Sequence, residues 1–177
     1  MTSEANLERV KSLIRDVPDF PQKGIVFKDI TPLLADEAGF STAIDLMVVH
    51  FGRGNVDKVV GIEARGFILA SPVAYHFGAG FIPVRKQGKL PWRTHAEEYA
   101  LEYGTATIEI HQDSITPGER VLIVDDVLAT GGTSAAAAAL VEKLEGKVVG
   151  IACLIELAFL NGREKLPGYD VFSLITY

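Results

Sequence analysis

Residues 121–133 read Val-Leu-Ile-Val-Asp-Asp-Val-Leu-Ala-Thr-Gly-Gly-Thr, an apolar run that delivers two adjacent carboxylates and then a short loop with two glycines. Asp125 and Asp126 are acceptors able to fix the hydroxyls of a sugar diol. Gly131 and Gly132 let the backbone wrap a phosphate closely, and Thr130 and Thr133 add hydroxyl donors. Ala129 starts that loop, and the helix it opens presents its first N–H groups to an anion. Two acids beside a phosphate cradle would repel the phosphate unless something lies between. Ribose hydroxyls do this, and Mg²⁺ shared with the substrate would relieve the remaining charge. The loop has no Walker A lysine after its glycines and is not a GxGxxG dinucleotide loop. The plainer reading is a strand–turn–helix junction whose aspartates cap the helix, which leaves the paired glycines and threonines unexplained.

Positioning such a loop takes a strand before it and a helix after it. Val121–Val124 reads as a strand ending at the two aspartates, and Gly132–Leu144 as an alanine-rich helix. The alanines Ala135–Ala139 are good helix formers that let the helix lie close to a sheet. Other strands are expected at Val59–Ile62, Gly80–Val84, Val148–Ile155 and Val171–Leu174, with a helix at Gly66–Phe77. A hairpin is expected from Tyr99–Tyr103 and Thr105–His111 around Gly104. Upstream, Leu7, Val10, Leu13 and Ile14 recur at helical spacing, so residues 3–16 read as a helix stopped by Pro18 and Pro21. Thr31–Leu34 and Phe40–Phe51 are further helices, the latter with Ala43, Leu46, Met47 and His50 along one side. Residues 85–98 read as polar and irregular. Strands alternating with helices predict an α/β fold with a mainly parallel central sheet covered on both faces.

The chain has 177 residues, enough for one domain with a sizeable core, and is 48% hydrophobic and 23% charged. Its net charge of -6, without blocks of like charge, argues against a nucleic-acid partner. Cys153, the lone cysteine, sits in an apolar run and is expected to be a buried, inert thiol. The first 15 residues lack the apolar core of a signal peptide, and no apolar run approaches the roughly 20 residues of a membrane span. A cytoplasmic protein without membrane contact is expected.

The segment Val121–Thr133 resembles the phosphoribosyl pyrophosphate signature of the type I phosphoribosyltransferases. Four further segments resemble the adenine phosphoribosyltransferases within that family, and with the signature they span nearly the whole chain. Phe20–Pro32 is similar to the amino-terminal hood (roughly residues 1–35) that covers the base. There the resemblance implies that Phe27 stacks on a purine while the backbone of Val26 and Lys28 bonds its edge. Gly61–Phe67 is similar to the pyrophosphate loop, implying roles for Glu63, Ala64 and Arg65, with a cis peptide between Glu63 and Ala64. Arginine suits a phosphate because its planar fork gives two parallel hydrogen bonds. Arg85–Pro91 is similar to the start of a flexible lid (roughly 85–104), with Arg85, Lys86 and Lys89 facing pyrophosphate. Trp92–His95 departs from the pattern expected next in that lid. Tyr99–Gly104 is similar to the family's hairpin, implying that Glu102 is the proton donor and that Tyr103 contacts substrate. Glu156-Leu157 matches the place where Leu157 packs on the base face opposite Phe27.

Taken alone, Phe27 reads as core, residues 85–91 as a solvated surface loop and Glu102 as an exposed strand carboxylate, while the apolar flanks of Arg65 weaken its reading as a surface salt bridge. The resemblance implies a single-domain type I phosphoribosyltransferase fold over residues 1–177. It further implies transfer of the phosphoribosyl group of phosphoribosyl pyrophosphate to adenine, giving AMP and pyrophosphate, in a homodimer. Mg²⁺ would be held mainly by the substrate, with Asp125 or Asp126 as the protein's candidates to touch it. Arg65, Asp125 and Asp126 would act with Glu102 in catalysis. Two alternatives stay open: transfer to another 6-substituted purine, and a regulator that senses phosphoribosyl pyrophosphate without catalysis.

Overall fold

The computed structural model describes residues 4–101 and 104–177. Glu102 and Tyr103 therefore lie outside the described residues. The chain divides into two compact units, Met1–Leu46 and Met47–Tyr177.

In the first unit, helix α1 (Glu4–Ser12) buries Val10. It ends short of the expected residue 16 because Arg15–Pro18 is strand β1, antiparallel to β2 (Val26–Asp29). Proline disfavours helical backbone in the residue before it, and the four-residue partner gives Arg15–Pro18 somewhere to pair. Asp29, at the end of β2, accepts the Thr31 N–H (2.9 Å) and the Arg15 guanidinium (2.5 Å). It thereby fixes the start of α2 (Thr31–Ala35), where Pro32 is compatible with a first helical turn. The Thr31 N–H, then the Arg15 guanidinium, hold the Asp29 carboxyl down at about 2. Helix α3 (Glu37–Phe51) follows, three residues earlier at its start than expected.

The second unit is built on a sheet of β3 (Lys58–Ile62), β4 (Gly80–Lys86), β5 (Thr94–Ala100), β6 (Thr105–His111), β7 (Arg120–Leu128), β8 (Lys147–Glu156) and β9 (Val171–Thr176). The spatial order is β5-β6-β4-β3-β7-β8-β9. From β4 to β9 every neighbouring pair is parallel, while β6 is antiparallel to both β4 and β5. Crossover helices α4 (Gly66–Phe77) and α5 (Gly132–Lys143) join β3 to β4 and β7 to β8. The mainly parallel α/β sheet matches the expectation. Near-continuous burial along β7 and β8 is what a sheet covered on both faces requires.

Two expectations about this unit need correction. Half of 85–98 is not irregular: Arg85 and Lys86 finish β4, and Thr94–Ala100 pairs along its full length with β6. This edge strand carries Thr, His and Glu on a half-exposed ribbon, so no hydrophobic run marks it. Strand β7 also does not stop at the aspartates; it runs on to Leu128 and pairs Leu128 with Glu156. Asp125 and Asp126 are therefore strand residues, both buried.

Small residues set the spacing of helices over the sheet. Ala136, Ala137 and Ala138 are buried on α5, and Cys153 is fully buried in β8, as expected. Under α4, a Cβ on Gly61 would come within 2.8 Å of the Ala70 methyl and 2.7 Å of the Phe81 ring. Gly61→Ala should destabilise the protein by about 1–3 kcal/mol through overpacking, read as a lower urea midpoint with unchanged slope. An unchanged midpoint would mean α4 can lift without cost.

Candidate active site

The chain leaves β3 through α4 toward β4 on one side, and leaves β7 through α5 toward β8 on the other. The crevice between the carboxyl ends of β3 and β7 is therefore the point where the winding reverses, the usual ligand position in open α/β sheets. Residues 63–65 leave β3 at this crevice, and residues 129–131 leave β7 beside it. The ends of β4 and β8 flank them.

On the β7 side, the Asp126 N–H donates to Asp125 Oδ1 at 2.8 Å. Burial first, then the neighbouring Asp126 charge, pushes the Asp125 carboxyl up. Across the crevice, Arg65 Nε lies 2.6 Å from Asp126 Oδ2. Among the described residues this buried oxygen is paired by charge and accepts no hydrogen bond. Gly66 at the start of α4 is needed for the approach: a Cβ there would sit 2.9 Å from Asp125 Oδ1.

Residues 127–131 with Thr133 and Ser134 line an open cavity at the amino terminus of α5. Gly131 has φ +78°, a backbone conformation that side chains rarely adopt, and a Cβ on it would run into the Gly162 carbonyl. The loop after β8 thus backs the phosphate-type loop glycine to glycine. The Leu157 N–H donates to the Leu128 carbonyl (2.9 Å), which ties the two loops again. Arg163 holds this second loop in place with two 2.7 Å bonds to Glu156 and one to the Val171 carbonyl. The Arg163 guanidinium keeps Glu156 ionised, below its usual range, against the burial that opposes it.

On the β3–β4 side, Glu63 has a buried side chain that gathers the cations of the neighbouring turn. Lys89 donates to Oε1, while the Lys86 N–H (2.9 Å) and Arg85 Nε (3.3 Å) donate to Oε2. Burial alone would raise the Glu63 carboxyl, but Lys89, the Lys86 N–H and Arg85 outweigh it and bring it to about 2. The peptide between Glu63 and Ala64 is cis. In the first unit, half-buried Phe27 meets Phe20 edge to face (5.2 Å) and lines an open pocket with Val17, Phe20 and Asp29.

The sheet thus brings Glu63, Ala64, Arg65, Arg85, Lys86, Lys89, Asp125, Asp126, Ala129–Thr133 and Leu157 to the carboxyl ends of adjacent strands. Val26, Phe27 and Lys28 lie in β2 of the first unit. Sequence reasoning passed over Glu109, Gly162 and Arg163. Glu109 looks like any alternating strand position, and only tertiary contacts make the other two important.

A model of the phosphoribosyl transferase domain family matches residues 31–175. An adenine phosphoribosyltransferase of Acidothermus cellulolyticus is 62% identical over 95% of both chains. The crystal structure of the adenine phosphoribosyltransferase of Rhodothermus marinus superposes with a TM-score of 0.94 at 54% identity, covering 98% of this chain and 99% of that one. That of Saccharomyces cerevisiae, complexed with an imino-altritol bisphosphate and adenine, gives a TM-score of 0.92 at 40% identity, covering 96% of this chain and 98% of that one.

Gly131→Ala should weaken binding of ribose 5-phosphate by about tenfold or more, since a side chain costs about 1–2 kcal/mol at left-handed φ before any clash is counted. Calorimetric titration checks this; affinity equal to the parent's would remove Ala129–Thr133 as the phosphate cradle.

Proposed function

This chain belongs to the adenine phosphoribosyltransferases within the phosphoribosyl transferase domain family, and from that premise we infer that it transfers the phosphoribosyl group of phosphoribosyl pyrophosphate to adenine. The products are AMP and pyrophosphate. The observation that carries the reaction class is the crevice where Arg65 faces Asp126 beside the glycine loop 129–133. A sugar bearing phosphates at both ends needs anion donors on two sides and acceptors for its hydroxyls between them. The choice of adenine rests on likeness to the relatives.

In this reading the 5′-phosphate sits on the N–H groups and hydroxyls of Ala129–Thr133. Asp125 and Asp126 take the ribose hydroxyls and favour the positive charge that develops on the sugar as its bond to pyrophosphate breaks. Ala64, Arg65, Arg85, Lys86 and Lys89 receive the charge that collects on the departing pyrophosphate, with Glu63 holding two of those cations. The base is assigned to Val26, Phe27 and Lys28, with Leu157 as an apolar contact. Its N9 attacks the anomeric carbon, and Glu102, with Tyr103 beside it, handles the purine proton, an effect of about 10²–10⁴-fold in rate.

Asp125 and Asp126 are adjacent hard oxygen donors on β7, a donor set that fits the Mg²⁺ that the family implies. Among the described residues no group of three or more His, Cys, Asp or Glu side chains is placed to hold a metal, so substrate oxygens would complete its shell. When bound, the ion spreads the charge of the leaving pyrophosphate. A homodimer in the cytoplasm belongs to the same proposal. The exposed Ile68 and Tyr75, a helical repeat apart on α4, support an apolar contact with a second copy. Among the described residues no helix is long and apolar enough to cross a membrane.

Purified protein with Mg²⁺, phosphoribosyl pyrophosphate and adenine should release AMP, and should not do so with chelator. Product from hypoxanthine or guanine instead would overturn the base assignment, and none from any base would overturn the reaction. Asp126→Asn should raise KM for phosphoribosyl pyrophosphate and lower kcat by about tenfold or more, since a charged hydrogen bond contributes about 1.5–3 kcal/mol. Unchanged kinetics would exclude Asp126 from the sugar site.

A further inference from the structure

Glu63 stands at the mouth of a site proposed to hold pyrophosphate, where a carboxylate should repel the ligand. Its contacts point to a different use. Both oxygens are turned onto the lid's own donors, Oε1 onto Lys89 and Oε2 onto the Lys86 N–H and Arg85 Nε. The side chain is 8% exposed, so the charge is matched inside the protein and offers little to solvent. A second buried carboxylate works on the same turn: Glu109 accepts the Gly88 N–H at 3.0 Å. Gly88 has φ +80°, and the Gln87 N–H is taken by the Thr107 carbonyl at 3.1 Å, so residues 86–89 form a fastened turn.

The donors used by Glu63 are only part of what the two cations have. Arg85 gives it Nε, and Nη1 lies 3.5 Å from the Lys89 carbonyl. Among the described residues nothing takes up Arg85 Nη2, and Lys89 keeps two ammonium protons. A phosphate has room to bind the outer edges of both cations while the carboxylate keeps the inner ones. An unheld lysine and arginine must give up rotamer freedom when they bind, and holding them in advance removes that cost from ligand binding.

We propose that Glu63 is a positioning residue that holds Arg85 and Lys89 ready for pyrophosphate and keeps holding them after it binds. The inference rests on the transferase reading of the site. Deleting this negative charge next to an anion site should therefore weaken anion binding. Simple electrostatics gives the opposite sign, and so does a carboxylate that must be displaced by the ligand.

Trp92, the chain's one tryptophan, lies three residues beyond Lys89 and is exposed, so its fluorescence reports on this turn. The experiment titrates magnesium pyrophosphate into parent, Glu63→Gln and Glu63→Asp proteins, reading Trp92 fluorescence and calorimetric heat. Glu63→Gln should bind pyrophosphate about tenfold more weakly, as expected when hydrogen bonds to charged groups are lost. Glu63→Asp, which keeps the charge but draws it back by one methylene, should fall between. Adenine affinity should move little, whereas a merely structural role would shift it together with pyrophosphate; the melting temperature falls on either account, because a buried ion pair is lost. In a Lys89→Met background, Glu63→Gln should have a smaller effect than in the parent, because one of the two cations it acts through is gone.

Equal or tighter pyrophosphate binding by Glu63→Gln overturns the proposal. If that variant does not fold, parent-like binding by Glu63→Asp overturns it instead. A parent protein that makes AMP while the variants bind pyrophosphate normally would sink only this inference. A parent that makes no nucleotide from any base would sink the transferase reading beneath it.

Discussion

Burying a carboxylate costs several kcal/mol unless donors replace the lost water, and this chain buries Glu63, Glu109, Asp125, Asp126 and Glu156 at one end of one sheet. No ordinary core needs this, since apolar side chains would fill the same positions more cheaply. The acids stay because each organises something: a cation across the crevice, a turn, or the loop that backs a glycine. The parallel strands supply the rigid frame, and the functional groups are hung from their carboxyl ends by charge.

The pairing is uneven, and the unevenness separates scaffold from site. Glu156 is fully answered by the fork of Arg163 with two 2.7 Å bonds, as suits a structural clamp. Glu63 is answered by three donors from one short turn. Among the described residues Asp125 and Asp126 have far less: one backbone N–H and one guanidinium paired by charge. The raised carboxyl of Asp125 records that shortage, with burial as its first cause and its neighbour's charge as the second. Under-served acceptors in a crevice suit donors from outside, which is why the proposed reading gives them the hydroxyls of a ribose.

Much of this was legible in the sequence because the strongest signals are local. Val121–Thr133 carries strand, acids, glycines and helix start within thirteen residues, and Gly66–Phe77 has the bounds observed for α4. What stayed hidden depends on partners far along the chain. Strand β5 is half exposed and polar, so only its pairing with β6 makes it a strand. The continuation of β7 through Asp125 and Asp126 ran against the expectation that acids end strands. It is explained by pairing of β7 with β8 as far as Glu156. Likewise β1 and β2 are four residues each, too short to show a period.

Gly162 shows how far that dependence on partners reaches. Nothing in Asn-Gly-Arg-Glu signals more than a turn, yet the Gly162 backbone lies where a side chain on Gly131 would have to go. The left-handed Gly131 is therefore required twice, by its own φ and by its neighbour. The neighbour is held by Arg163, which is held by Glu156 at the end of β8. A phosphate on residues 129–133 would be supported through these contacts by the strand beside the one that carries the loop. The cradle's rigidity is thus a property of two adjacent parallel strands and of the acid that ends one of them.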